Sequence, residues 1–180
     1  MTADWLTEPV TDDAPCGPDL ELAEDDDFLD YYYEAEGRLP DRYVSAGPQL
    51  RADAPSPDRI SDPRDVDLRG ERSAIDGLLR RSRDLRLLSL RARWEALAQD
   101  PDGFADAVEG VAAVLGAFGD AVHPALPDRA RDRRAALEAL ANPATVLQPL
   151  QYLPLTGDPD VTFRRIQVAR GAVEPRAAET

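Results

Sequence analysis

The clearest periodic pattern of apolar residues lies between residues 101 and 122. Apolar side chains recur there at spacings of four and three: Phe104, Val108, Val111, Leu115, Phe118 and Val122. This period matches one face of an α-helix. Asp100 followed by Pro101 is typical of a helix start, because aspartate caps free amides and proline fits the first helical position. The helix is predicted to end at His123-Pro124, since a residue before proline disfavours helical backbone.

Two further helical patterns lie just before this segment. Residues 65–82 carry apolar side chains on one side, namely Leu68, Ile75, Leu78 and Leu79. From a capping residue at Asp84 to Gln99, the apolar residues fall on more than one side: Leu85, Leu87, Leu88, Leu90, Trp94 and Leu97. A helix that is apolar on several sides is contacted from several directions. We therefore expect the helix after Asp84 to be central.

The N-terminal part predicts one helix followed by a loop. The helix is expected at residues 19–36, with Asp19 as its N-cap and Gly37 at its end. Leu22, Leu29 and Tyr32 recur at spacings near seven and three, with Phe28 beside them, as expected of one helix. Residues 38–63 have many prolines and no period, so they predict a long exposed loop.

The whole pattern predicts an all-α fold, a compact bundle of five to seven helices with a long proline-rich loop after the first helix. Residues 128–141 predict another helix, and residues 152–170 fit either a hairpin or a short helix capped by Thr162, of which we favour the helix. The predicted organisation is an N-terminal extended segment (1–18), a helical domain (19–171) and a tail or linker (172–180). The predicted core consists of Leu78, Leu79, Leu88, Trp94, Phe104, Val108, Val111, Leu115, Phe118, Leu137 and Leu140.

Acidic residues are concentrated at the N-terminal end. Residues 1–37 contain thirteen Asp or Glu and no Arg, whereas the rest of the chain has 22 acids, 21 arginines and no lysine. The net charge of −14 disfavours nucleic acid and anionic membranes as partners. No apolar run reaches the ~20 residues that cross a bilayer. A single cysteine and the absence of a secretory signal pattern predict a cytoplasmic protein.

The acidic run does not match a metal-binding motif. An EF-hand loop that started at Asp25 would lack the glycine required at its sixth position. We therefore interpret Asp25, Asp26, Asp27 and Asp30 as a solvated helix face. One cysteine and one histidine also cannot supply the usual ligands of structural zinc. The sequence predicts neither a metal nor a cofactor.

The single cysteine and the single histidine are both expected to have structural roles. Pro15, Cys16 and Gly17 predict a tight turn with a buried thiol, since the acidic surroundings disfavour a thiolate. His123 is expected to cap or pack against a helix end. Neither residue lies in a known catalytic motif.

Three consecutive tyrosines follow the acidic run. Tyr31, Tyr32 and Tyr33 cannot all face inward, because successive helical residues are about 100° apart. Exposed tyrosine is a frequent anchor at interfaces. The candidate partner-binding residues are therefore Asp25, Asp26, Asp27, Asp30, Tyr31 and Tyr33. The alternative is that Tyr32 packs inside while the other two only shield the helix.

Arginines dominate the segment between the second and third predicted helices. They are Arg80, Arg81, Arg83, Arg86, Arg91 and Arg93. Most are expected to form surface pairs or solvated ends, and a subset could face a partner.

Several of these features occur together, in order, in one family. They are "DAPCGPDLE" at 13–21, "LLRRSRDLRLLSLRARW" at 78–94, "FGDAVHPAL" at 118–126 and "RRAALEALANP" at 133–143. With this ordered set, the chain resembles the ImpA-type N-terminal domain of TssA proteins, which assemble bacterial type VI secretion systems. The similarity covers residues 8–171.

The resemblance implies a non-enzymatic interaction domain with baseplate, membrane-complex or sheath-tube proteins as partners. It implies oligomers only through regions that lie outside this sequence. Two alternatives remain open: a small metal-dependent hydrolase that uses Asp25, Asp26 and Asp30 with His123, and a free-standing acidic inhibitor.

Overall fold

The computed structural model describes residues 4–47 and 58–176. Within these ranges the chain forms seven α-helices: α1 (Asp26–Arg38), α2 (Leu68–Leu79), α3 (Leu85–Leu97), α4 (Pro101–Phe118), α5 (Ala130–Glu138), α6 (Gln148–Gln151) and α7 (Phe163–Ala169). Short 3-10 turns and one π-helical turn, Pro143–Leu147, join them. The predicted all-α bundle is therefore confirmed. None of the helices in the described ranges is long and apolar enough to cross a membrane.

The helix α3 is the centre of the bundle. Twelve of its thirteen residues are buried, and α2, α4 and α5 pack around it. Asp84 caps the helix by accepting a hydrogen bond from the Arg86 amide at 2.8 Å. The prediction of a central helix that starts after Asp84 is confirmed.

The buried side of α4 overlaps the predicted side only in part: Val111 is buried as predicted. Its buried residues are Ala107, Gly110, Val111 and Val114. Val108 is exposed, so its assignment to the core was wrong, and Phe104, Leu115 and Phe118 are only partly buried. A Cβ atom on Gly110 would lie 3.2 Å from Leu6. Small residues therefore allow close approach to the core, and a hydrophobicity pattern gives such residues little weight.

The first helix is shorter than predicted. It begins at Asp26, with Asp25 rather than Asp19 as the N-cap, and it continues through Gly37. Asp19 instead accepts hydrogen bonds from two amides of a separate turn. Leu22 lies in this turn and is 69% exposed, so its predicted place in the first helix was wrong.

The predicted loop contains ordered structure. β1 (Val44–Ala46) pairs with β2 (Asp58–Ile60) in antiparallel register. Tyr43, just before β1, is fully buried, so this part of the chain is not the exposed segment that was predicted. Residues 48–57 of the predicted loop lie outside the described residues.

The C-terminal part forms the favoured helix. Thr162 caps α7 through the Arg165 amide at 3.2 Å, and Gly171 follows its end with a positive φ of 68°. The hairpin alternative is represented only by a single antiparallel bridge between Pro154 and Thr162 in the described residues. The predicted domain boundaries stay predictions, and residues 177–180 of the tail lie outside the described residues.

Candidate docking face and buried polar junction

A tight turn precedes the first helix. The Gly17 amide donates to the Ala14 carbonyl at 2.9 Å, and Gly17 has a positive φ of 67°. A side chain at this position would overlap the Arg81 carbonyl oxygen, so the turn requires glycine. Cys16 is buried, and its burial raises the pKa of the thiol although nearby arginines oppose the rise. Its carbonyl accepts from the Arg83 amide at 2.7 Å.

His123 connects this turn to the start of α3. Its backbone amide donates to the Arg83 carbonyl at 2.9 Å, and its carbonyl accepts from the Leu85 amide at 2.8 Å. Its Nε2 lies 2.9 Å from the Gly17 carbonyl oxygen. Three sequence features therefore meet at one place in the fold: the Pro15-Cys16-Gly17 turn, residues 82–86 and His123-Pro124. The contacts of His123 are those of a packing residue.

Five charged side chains lie at this meeting point. Arg86 donates to Asp84 at 2.6 Å, to Asp19 at 2.7 Å and to Glu21. Arg129, at the start of α5, donates to Asp19 at 3.1 Å and to Glu21 at 2.6 Å. We call these five residues the polar junction. It ties the N-terminal turn, α3 and α5 together.

The electrostatics of the junction favour its ion pairs. Burial alone would raise the pKa of Asp19, but the hydrogen bond and charge of Arg86, with His123 and Arg129, lower it below its ordinary value. At Glu21, burial alone would also raise the pKa. The hydrogen bonds from Tyr33 and Arg129 outweigh burial, so the pKa of Glu21 lies below its ordinary value. Both carboxylates are therefore held in the ionised form.

Burial acts most strongly on Asp84, whose side chain has no solvent exposure. It raises the pKa of Asp84, while the hydrogen bonds and charge of Arg86 act in the opposite direction. The cost of this burial is offset only while Arg86 is present, because an unpaired buried charge is strongly unfavourable.

The expectation of surface arginines was wrong for three positions. Arg83, Arg86 and Arg93 are exposed by only 3%, 6% and 8%. Arg83 donates to the backbone carbonyls of Leu6 at 2.8 Å and Trp5 at 3.0 Å. Its guanidinium also lies 5.4 Å from the centre of the Trp5 ring. These side chains hold the fold together and do not face solvent.

Two of the candidate docking residues are engaged within the fold. Asp25 caps α1 and forms an ion pair with Arg81. The Tyr31 hydroxyl donates to Glu71 at 2.6 Å, and burial, together with this hydrogen bond, raises the pKa of Tyr31. Neither side chain is presented freely to a partner.

The remaining candidates are exposed side by side on α1. Asp26, Asp27 and Asp30 face solvent, and Tyr33 is 55% exposed. Asp27 reaches Arg81 at 3.1 Å, but its side chain is 82% exposed, so this pair is weak. We call these four residues the α1 face. Tyr33 links the face to the junction, because its hydroxyl donates to Glu21 at 2.6 Å.

The geometry offers no support for the hydrolase alternative. His123 lies against Gly17 and Asp19, while Asp26 and Asp30 project into solvent on α1. In residues 4–47 and 58–176, no group of three or more His, Cys, Asp or Glu side chains is placed to hold a metal ion.

These features define a helical domain built around a buried charged helix, with an acidic face on one side. The chain belongs to the ImpA N-terminal family of the type VI secretion system, whose family model matches residues 7–142. The predicted resemblance is thus confirmed, and the chain is a component of that secretion system. The family is one of assembly domains and not a known enzyme family. Neither the curated proteins nor the solved structures gave a match.

Proposed function

We propose that this domain is a non-enzymatic docking module, which binds a baseplate, membrane-complex or tail protein of the secretion system in the bacterial cytoplasm. The observation that carries the proposal is the family match over residues 7–142. It assigns the chain to the machinery, and protein partners follow from that membership.

The distribution of charge supports the α1 face as the docking surface. Asp19 and Glu21 of the junction are each paired with both Arg86 and Arg129. Asp26 and Asp30, by contrast, project from the first turns of α1 without an arginine partner among the described residues. Exposed like charges steer a complementary partner and fix its orientation more than they add affinity. A partner with a basic surface therefore fits this face.

Aromatic and apolar groups beside the acids support the same surface. Tyr33 is half-exposed, and Leu22 lies one residue after Glu21, to which Tyr33 is bonded. Interfaces combine such anchors with a charged rim.

The test is a pull-down with the purified domain against the baseplate, membrane-complex and tail proteins of the same gene cluster, at two salt concentrations. At least one protein should be retained, and less of it at high salt. Retention of none of them at low salt would contradict the docking function.

A further inference from the structure

Gly37 is a glycine inside a helix, at a position where the fold of the domain does not require glycine. α1 continues through it to Arg38, and its φ is not positive, so the conformational freedom of glycine is not used there. The residue is exposed. Outside its own stretch of helix, no atom of the described residues lies within 4 Å of the position that a Cβ atom would take. Because glycine weakens a helix relative to alanine, alanine would suit the isolated domain better at this position.

Gly37 continues the exposed side of the helix that carries the α1 face. Asp26, Asp30, Tyr33 and Gly37 follow one another at spacings of four, three and four, which places them on one side of α1. All four residues are exposed. This side is about 16 Å long, because each helical residue adds about 1.5 Å. It presents two acids at one end, a tyrosine in the middle and a gap without a side chain at the other end.

Open space around a glycine does not by itself identify an interface, and Gly77 in α2 shows this. Gly77 is also exposed and also inside a helix, its φ is not positive, and a Cβ atom there would likewise meet none of the described residues. The two glycines differ in their neighbours. Ser73 stands four positions before Gly77, whereas Tyr33 stands four positions before Gly37, with Asp30 three positions before Tyr33. Of the two, Gly37 alone lies beside an exposed aromatic ring and an exposed acid.

The acids on this side of α1 are only partly compensated by arginine. Arg81 pairs with Asp25 and Asp27, while Asp26 and Asp30 have no arginine partner among the described residues. Unlike the acids of the polar junction, these two carboxylates are therefore free to attract a cation from outside the domain. A partner that lies along the helix is favoured when it carries arginine or lysine at this end.

We propose that a basic segment of the protein partner lies along α1, with its cations beside Asp26 and Asp30 and its main chain against Gly37. The proposal rests on the docking function proposed above and states how the partner is seated on the α1 face. A backbone can approach most closely where the opposite residue has no side chain. Glycine at position 37 therefore lets the partner reach Tyr33 between the two ends. The stability that glycine costs the helix is then offset by contacts in the complex.

The first measurement needs no partner and compares Gly37→Ala with Gly77→Ala by thermal denaturation. Each substitution adds a methyl group in open space and favours the helix, so each should raise Tm by about 1–4 °C. If Gly77→Ala raises Tm and Gly37→Ala does not, Gly37 has a role inside the fold and the proposal is overturned.

The second measurement is the affinity for the baseplate, membrane-complex or tail protein that the pull-down retains, determined by isothermal titration calorimetry with the purified proteins. Gly37→Leu fills the gap beside Tyr33 without changing a charge and should weaken binding at least tenfold. Gly77→Leu is the matched control and should bind as the unsubstituted protein does. Unchanged affinity in Gly37→Leu would refute the seating at Gly37 while the docking function stands.

Hydrogen exchange of the same complex, with and without the Gly37→Leu substitution, identifies the partner segment that lies against α1. The segment whose amides lose protection in the variant should have a net positive charge, and a neutral or acidic segment would overturn the proposal. If the unsubstituted domain retains none of the secretion proteins, the docking function itself fails. That result is distinct from a retained protein whose binding is insensitive to Gly37→Leu.

Discussion

Two pairs of acidic residues lie within about a dozen positions of each other, one paired with arginines inside the fold and the other exposed to solvent. Asp19 and Glu21 of the polar junction are each bonded to both Arg86 and Arg129. Asp26 and Asp30 of the α1 face lie in solvent. The same side-chain chemistry therefore stabilises the fold in one place and is available to a partner in the other.

The comparison shows that formal charge overstates the surface charge of this domain. Counted along the chain, the first 37 residues carry nearly all of the net charge. In the fold, five of their acids form ion pairs with arginines from distant positions: Asp19, Glu21, Asp25, Asp27 and Glu36. Glu34 pairs with Arg38 on the same helix. The charge left for a partner is concentrated on fewer residues than the sequence indicates.

The largest effect is expected from removing Arg86, the cation of the junction that pairs with Asp84. Arg86→Leu leaves Asp84 fully buried without its partner, which should cost about 3–5 kcal/mol of unfolding free energy. Urea denaturation followed by circular dichroism measures this loss. The control is Arg134→Gln, which removes an exposed pair with Glu138 and should cost less than ~1 kcal/mol.

A loss below ~1 kcal/mol in Arg86→Leu would show that the junction is not structural. If the leucine variant does not fold, Arg86→Lys keeps the charge and loses the forked geometry. Arg86→Lys should then fold, with a free energy of unfolding lower than that of the unsubstituted protein.

Arg129→Gln should have a smaller effect that depends on pH. Arg129 lowers the pKa of Asp19 and of Glu21, whose ordinary values are 3.8 and 4.5. A carboxyl group whose pKa is lowered by folding stabilises the fold at pH values above its ordinary pKa. This contribution is lost as the pH falls through the folded-state pKa. The variant should therefore be about 1–3 kcal/mol less stable at pH 7, and the difference should shrink below pH ~4.

Denaturation curves of both proteins at pH 7 and at pH 3 measure this difference. If the difference in unfolding free energy is the same at both pH values, Arg129 acts through packing and not through the two carboxylates.

Removing one hydroxyl at a time from Tyr31 and Tyr33 compares a hydrogen bond inside the fold with one at the surface. Tyr31→Phe removes a half-buried hydrogen bond to Glu71 and should cost about 1–2 kcal/mol. Tyr33→Phe removes an exposed bond to Glu21 and should cost less than ~0.5 kcal/mol. Thermal and urea denaturation of the two variants compare them directly. The reverse order would contradict the assignment of Tyr31 to the fold and Tyr33 to the surface.

The smallest effect on stability is expected on the α1 face. Asp26→Asn and Asp30→Asn remove solvated charges that form no internal pair in the described part of the chain. Together they should change the unfolding free energy by no more than ~0.5 kcal/mol. A loss of ~2 kcal/mol or more would show that these side chains also serve the fold.

The periodic pattern was sufficient to predict the helices but not the contacts of each helix. The positions of α3 and α4 follow from strong capping residues, Asp84 and Asp100, at the start of apolar repeats. Part of the buried side of α4 was missed because Ala107 and Gly110 are small. Close approach of two helices is decided by the partner helix as well as by the sequence of one.

The site was predicted only in part, for a similar reason. The family motifs were visible, but nothing in their spacing shows that Gly17, Arg83 and His123 are joined by hydrogen bonds. The pairing of Arg86 with Asp19 links residues that are 67 positions apart. Helical arginines are usually exposed, so their burial here follows from tertiary contacts that local pattern rules do not contain.

The proposed docking surface is tested most directly by the affinity of the domain for its secretion partner after removal of the exposed acids. Asp26→Asn with Asp30→Asn is compared with the unsubstituted protein and with Asp102→Asn, an exposed acid on α4, at two salt concentrations. Only the two α1 substitutions should weaken binding and reduce its salt dependence, with no change in stability. Equal affinity and equal salt dependence for all three proteins would contradict the claim that the α1 face is the docking surface.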